Sequence, residues 1–147
     1  MLTPTKILVP TDFSRYSDKA LRQAFDIAMQ YKAQVYVVHA LHEKNPYDTS
    51  DGSIPSYHED IEKQLIERAR KKLQEEVDKF PQAKALNVFV DVVNGNTAEA
   101  ILEIEKSKGI DLIVIAFLGR SGIAKYLIGG VARNVLKGAQ CPVLLTK

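Results

Sequence analysis

The chain has 147 residues, 46% of them apolar and 26% charged, with a formal net charge of +2. That length suits a single domain, 1–147, whose core needs no covalent staples. Basic residues are dispersed among acidic ones, so neither nucleic acid nor an anionic membrane is an expected partner, and the lone Cys141 excludes an internal disulfide and any cysteine-based metal spacing. No apolar run reaches the roughly eighteen residues of a membrane span, the opening segment is too short for a signal peptide, and a cytoplasmic location is expected.

Lys6–Pro10, KILVP, is an apolar run of the kind found in buried parallel strands, and Thr11-Asp12-Phe13-Ser14 breaks it with turn chemistry. Asp12 then hangs from the carboxyl end of the first strand, either as a turn or cap residue or as an acceptor for ribose hydroxyls. Ser17 is the expected N-cap of a helix whose apolar face runs through Ala20, Leu21, Ala24, Ile27, Ala28 and Tyr31. Gln34–Leu41 is rich in β-branched residues and reads as the second strand, with His39 read as a satisfied core or strand-end histidine.

Residues 42–57 contain two prolines and little periodicity, which predicts a loop. A long helix is expected over His58–Phe80, with a stripe of Ile61, Leu65, Ala69, Leu73, Val77 and Phe80 and with Pro81 as its stop. Its run Arg68-Ala69-Arg70-Lys71-Lys72 is balanced by acids on the same helix, so a solvated face is expected there.

Asn87–Val93 predicts a third strand, and Asn96 with Glu99 a capping box for a helix that Gly109 ends. Leu112–Ala116 predicts a fourth strand buried on both faces. The glycine turn Gly119-Arg120-Ser121-Gly122 follows, then a helix with Leu127, Val131 and Val135 at four-residue spacing and Gly138 as its close. Strand, glycine turn and helix in that order suit an anion, because the first N–H groups of a helix lack intrahelical partners and glycine admits a phosphate close to the backbone. Cys141–Thr146 is a final strand, with Cys141 read as a buried small hydrophobe.

Alternating strands and helices predict an α/β protein, a doubly wound parallel sheet of five strands with helices on both faces. Two segments carry a resemblance to a known family. VPTDFS resembles the first-strand signature of the universal stress proteins, and Ala116, two residues, Gly119, nine residues, then Gly129-Gly130 resembles their nucleotide-binding signature. Ala116 stands where that signature has glycine, and Gly130 where it has serine or threonine.

The resemblance implies the Rossmann-like fold of the family, with strand order 3-2-1-4-5 and a crevice between the first and fourth strands. It assigns the ribose to Asp12, the adenine edge to the backbone of Ala40, and the phosphates of ATP, ADP or AMP, with or without Mg²⁺, to the amides of Gly119, Gly129, Gly130 and Val131. Gly122 shapes the turn, and Arg120 and Lys125 are candidates to add charge. The methyl of Ala116 and the missing hydroxyl at Gly130 are expected to weaken ATP ten- to a hundredfold, roughly 1.4 to 2.8 kcal/mol, or to shift preference towards AMP or ADP.

The implied function is a nucleotide-binding stress-response dimer that regulates or docks a protein partner. Its interface is expected at Pro142–Thr146, an apolar strand left at a sheet edge. The alternatives are a dimeric interaction module without nucleotide and a slow ATPase. No P-loop, nucleophile elbow, paired carboxylates or His/Cys metal spacing points to an efficient enzyme.

Overall fold

The computed structural model describes residues 2–41, 55–119 and 128–147, with the side chains of 55–58 left aside. In chain order the elements are β1 (Lys6–Pro10), α1 (Arg15–Tyr31), β2 (Gln34–Leu41), α2 (Pro55–Asp78), a 3₁₀ turn (Pro81–Ala85), β3 (Val88–Asn94), α3 (Thr97–Lys108), β4 (Leu112–Ala116), α4 (Gly130–Gly138) and β5 (Val143–Thr146). The strands form one parallel sheet in the order β3-β2-β1-β4-β5. The expected fold and strand order are therefore the observed ones.

Each central strand buries both of its faces, which is why these segments read as unbroken apolar runs. Ile7, Val9, Val35 and Val37 pack beneath α1 and α2 against Phe25, Leu73 and Val77. Leu8, Val38, Ile113 and Ile115 pack on the other face against Ile101 of α3 and Ala132 and Val135 of α4. Successive residues of one strand point to opposite faces, so the two cores share a single sheet as their wall.

The end of the sheet at which the strands begin is fastened by one side chain. Asp111, just before β4, accepts hydrogen bonds from the backbone N–H of Thr5 at 3.0 Å and of Lys6 at 2.9 Å and from the Thr5 hydroxyl at 2.5 Å. Burial alone would raise its pKa, but these bonds favour the charged form and hold the carboxyl below the usual carboxylate range. A second carboxylate, Glu105 of α3, is only 4% exposed and accepts the N–H groups of Gln140 and Cys141 at 2.7 Å, tying α3 to the approach to β5. Burial, and then the neighbouring Glu105, push the Cys141 thiol up to about 12. Cys141 is half-buried rather than buried, and β5 begins two residues after it.

Several local expectations shift. Ser14, not Ser17, caps α1, its hydroxyl accepting the N–H of Ser17 at 3.2 Å. Ser17 lies one turn in and is buried, donating its hydroxyl to Ser14 O. The helix starts early because the chain completes its bend within Asp12-Phe13-Ser14. The helix expected from His58 starts at Pro55 and ends at Asp78, and its stripe is buried only over its second half. Ile61 and Leu65 are exposed, whereas Leu73, Val77 and the following Phe80 are buried.

Asn96 does cap α3, accepting the N–H of Glu99 at 3.1 Å, and Gly109 ends it in the left-handed conformation that suits glycine. In α4 the buried face is Ala132 and Val135, while Val131 is exposed and Leu127 lies outside the described residues.

Candidate functional site

The sheet changes direction between β1 and β4. The chain leaving β1 crosses to one face and the chain leaving β4 to the other, so a crevice opens beyond their carboxyl ends. Its geometry is set by the two connections.

Beyond β1, the N–H of Thr11 donates to Val38 O at 2.8 Å, which extends the β1–β2 pairing by one residue. The buried Thr11 hydroxyl then accepts the N–H of Phe13 at 3.1 Å and lies 3.0 Å from the Ser17 hydroxyl. Asp12 Oδ1 accepts the N–H of Ser14 at 2.9 Å, an Asx turn of the kind that bends a chain between two elements. Phe13 pays for this bend with φ 64°, a left-handed conformation uncommon for a bulky residue and characteristic of functional sites. Its ring contacts two neighbours, the His39 ring with centroids 4.4 Å apart and the Lys72 ammonium 4.3 Å from its centre. His39 in turn places Nδ1 2.8 Å from Thr11 O, the satisfied strand-end role expected of it.

Beyond β4, the N–H of Phe117 donates to Thr146 O and the N–H of Gly129 donates to Phe117 O, both at 2.8 Å. The start of α4 is thereby docked against the end of β4. Gly129 is the N-cap and offers no side chain, and the first helical bond runs from Arg133 N–H to Gly129 O. The amides of Gly130, Val131 and Ala132 thus precede the helical ladder, at the positive end of the helix dipole.

The two connections meet. A Cβ on Gly119 would stand 3.1 Å from Asp12 Oδ2, and one on Gly129 would stand 3.3 Å from Phe117 O and 3.6 Å from Gly119 N. Close approach, rather than left-handed geometry, is what calls for glycine at these two positions. Among the described residues, an added Cβ at Gly130 would meet nothing within 4 Å.

A cavity of about 560 Å³ occupies the crevice. The structure brings Asp12, Ala40, Ala116, Gly119, Gly129, Gly130 and Val131 to its lining. Arg120, Gly122 and Lys125, also singled out from the sequence, lie outside the described residues. Val93 and Ile101 supply apolar wall, and α2 supplies Arg68, Ala69 and Lys72. The sequence reading placed Arg68 and Lys72 on a solvated face; both are exposed, yet both also line the cavity. Their four-residue spacing, which puts two side chains on one helical face, was the available signal.

A doubly wound sheet with a glycine-walled crevice at its switch point defines an α/β protein of the open-sheet class, in which the crevice beyond the carboxyl ends of the strands is the usual place for a ligand. The chain belongs to the universal stress protein family, whose model matches residues 4–147. It is 34% identical over 146 residues to universal stress protein A homolog 2 of Coxiella burnetii, covering 97% of this chain and 94% of that protein. Among solved structures it resembles MJ0577 of Methanocaldococcus jannaschii with a TM-score of 0.83 at 25% identity, covering 99% of this chain and 97% of the other. Two further family structures are complexes, one with cAMP (TM-score 0.68, 24% identity, 99% and 98% coverage) and one with dAMP (TM-score 0.60, 21% identity, 99% and 100% coverage).

Proposed function

We propose that the crevice binds an adenine nucleotide and that nucleotide occupancy adjusts a surface through which the protein, as a dimer, acts in a stress response. The observation that carries this reading is the approach of Gly119 to Asp12, where a Cβ would stand 3.1 Å from the carboxylate. A hydroxyl-binding carboxylate and a phosphate-admitting backbone then share one cavity, and 560 Å³ lies within the range of small-ligand sites. The cAMP and dAMP complexes of relatives support the same ligand class.

In this reading Asp12 accepts from the ribose through Oδ2 while Oδ1 is engaged with Ser14, and the backbone of Ala40 meets the adenine edge. The amides of Gly119, Gly129, Gly130 and Val131 face the phosphates, with ATP, ADP and AMP as candidates and Mg²⁺ accompanying the longer tails. Binding rather than turnover is the proposed activity.

Isothermal titration with ATP, ADP and AMP in Mg²⁺, repeated on Gly119→Val, tests the site. Micromolar binding is expected for the unmodified protein and none for the valine variant, whose side chain would press on Asp12. Silence up to millimolar nucleotide from folded protein would overturn the reading.

The dimer is proposed at Pro142–Thr146. Among the described residues β5 pairs only with β4, and Leu144 on it is 37% exposed. An apolar edge strand of this kind is ordinarily covered. Leu144→Lys is expected to sediment as a monomer, and a surviving dimer would rule this interface out.

A further inference from the structure

We propose that Arg68 and Lys72 form a second anion subsite in the cavity, on the α2 wall across the sheet from the start of α4, and that it selects ligands by their negative charge. The inference rests on the nucleotide reading of the cavity but concerns a different wall. Three observations carry it.

First, both side chains line the cavity, and their four-residue spacing points them the same way. Second, neither has an acid partner among the described residues, whereas Arg70 beside them does, lying 3.7 Å from Asp91. Third, Lys72 is held in place, its ammonium 4.3 Å from the centre of the Phe13 ring. Phe13 carries the left-handed bend after Asp12 and itself lines the cavity, so this contact places the ammonium at the cavity wall.

Of the described charged residues lining the cavity, Asp12 is the one acid and Arg68 and Lys72 are the two bases. A neutral nucleoside placed there would satisfy Asp12 through its hydroxyls and leave both cations unused. A nucleotide brings negative charge to them, and a guanidinium and an ammonium on one face are suited to phosphate oxygens. The amides at the start of α4 and the α2 cations would thus hold the ligand's charge from two sides, the first through fixed dipoles and the second through full charges that salt can screen.

The test is titration of adenosine, AMP, ATP and inorganic pyrophosphate against the unmodified protein, Arg68→Gln, Lys72→Gln, the double variant and Lys72→Arg, at low and high salt. All substitutions are at exposed positions of α2, and far-ultraviolet circular dichroism with thermal melting verifies the fold. The double variant is expected to bind adenosine within twofold of the unmodified protein, to lose about tenfold or more in AMP and ATP affinity, and to lose most of the salt dependence. Lys72→Arg is expected to retain affinity, since arginine keeps both the charge and the ring contact. Unchanged AMP and ATP binding in the double variant would overturn the subsite and leave the nucleotide reading standing. Pyrophosphate binding that requires Arg68 and Lys72, without any nucleotide binding, would establish the subsite and overturn that reading. A protein that binds none of the four would overturn both.

Discussion

The two ends of the sheet each carry an aspartate beside β1 or β4, and the two are used in opposite ways. At the end where the strands begin, Asp111 spends both carboxylate oxygens on Thr5 and Lys6, closing β4 onto the start of β1. At the other end, Asp12 gives Oδ1 to Ser14 and turns Oδ2 towards Gly119 and the cavity. The same residue type fastens one end and lines an opening at the other. The difference lies in the backbone around them: extended chain offers Asp111 the adjacent N–H groups of Thr5 and Lys6, whereas the left-handed bend at Phe13 brings the N–H of Ser14 to Asp12 Oδ1 and Gly119 lets the chain after β4 approach Oδ2 at the cavity.

Exchanging the consequences of the two aspartates is the strongest way to break this contrast. Asp12→Ala is expected to weaken nucleotide by ten- to a hundredfold, about 1.4 to 2.8 kcal/mol, as for the loss of a charged hydrogen-bond acceptor, while lowering the melting temperature only slightly. Asp111→Asn is expected to leave nucleotide affinity within twofold and to cost about 1–2 kcal/mol of stability, discounted because the carboxylate is partly exposed. The pH dependence fixes the sign. A carboxyl whose folded pKa is depressed contributes stability above its unfolded pKa of about 3.9 and loses that contribution as pH falls through the folded value. The gap between the unmodified protein and Asp111→Asn should therefore be full at pH 7 and shrink below pH 4 in urea melts. If Asp12→Ala unfolds the protein, or Asp111→Asn abolishes binding, the division of labour is wrong.

The core strands were the legible part of the chain, and the Asp111 clamp was not. Lys6–Pro10, Gln34–Leu41 and Leu112–Ala116 announce themselves because strands buried on both faces must be apolar throughout, and the observed strands have those bounds. The clustering of Asp12 with Gly119 was legible only through the resemblance, since nothing in local periodicity relates residues 107 positions apart. Helix ends were less accessible. Ser14 and Ser17 are both competent caps, and the choice depends on where the Asp12 turn releases the chain, a tertiary matter. Arg68 and Lys72 are hard to single out in the sequence because a mixed-charge helix looks solvated on every face; the position of α2 over the crevice is what brings them, and not Arg70 or Lys71, to the cavity. Ile61 and Leu65 fail in the opposite direction, an apolar stripe that the described sheet does not cover.

The smallest expected effect sharpens the contrast at the open end itself. Gly119 and Gly130 both line the cavity, yet a Cβ at the first would press on Asp12 and a Cβ at the second would meet nothing within 4 Å among the described residues. Of these two, steric need accounts for glycine only at Gly119. Gly130 opens α4, where a serine side chain has room to stand and its hydroxyl can donate to a phosphate held near the first amides. Gly130→Ser is therefore expected to fold normally and to tighten ATP by five- to tenfold, about 1 kcal/mol for one added hydrogen bond, with adenosine affinity unchanged. Helix propensity adds a small gain in stability, since serine is a better helix residue than glycine. Titration of ATP and adenosine against this variant separates the contributions: tightening of both ligands would assign the gain to a stiffer backbone, and weakening of ATP would mean that the phosphates pass through the space a Cβ would fill.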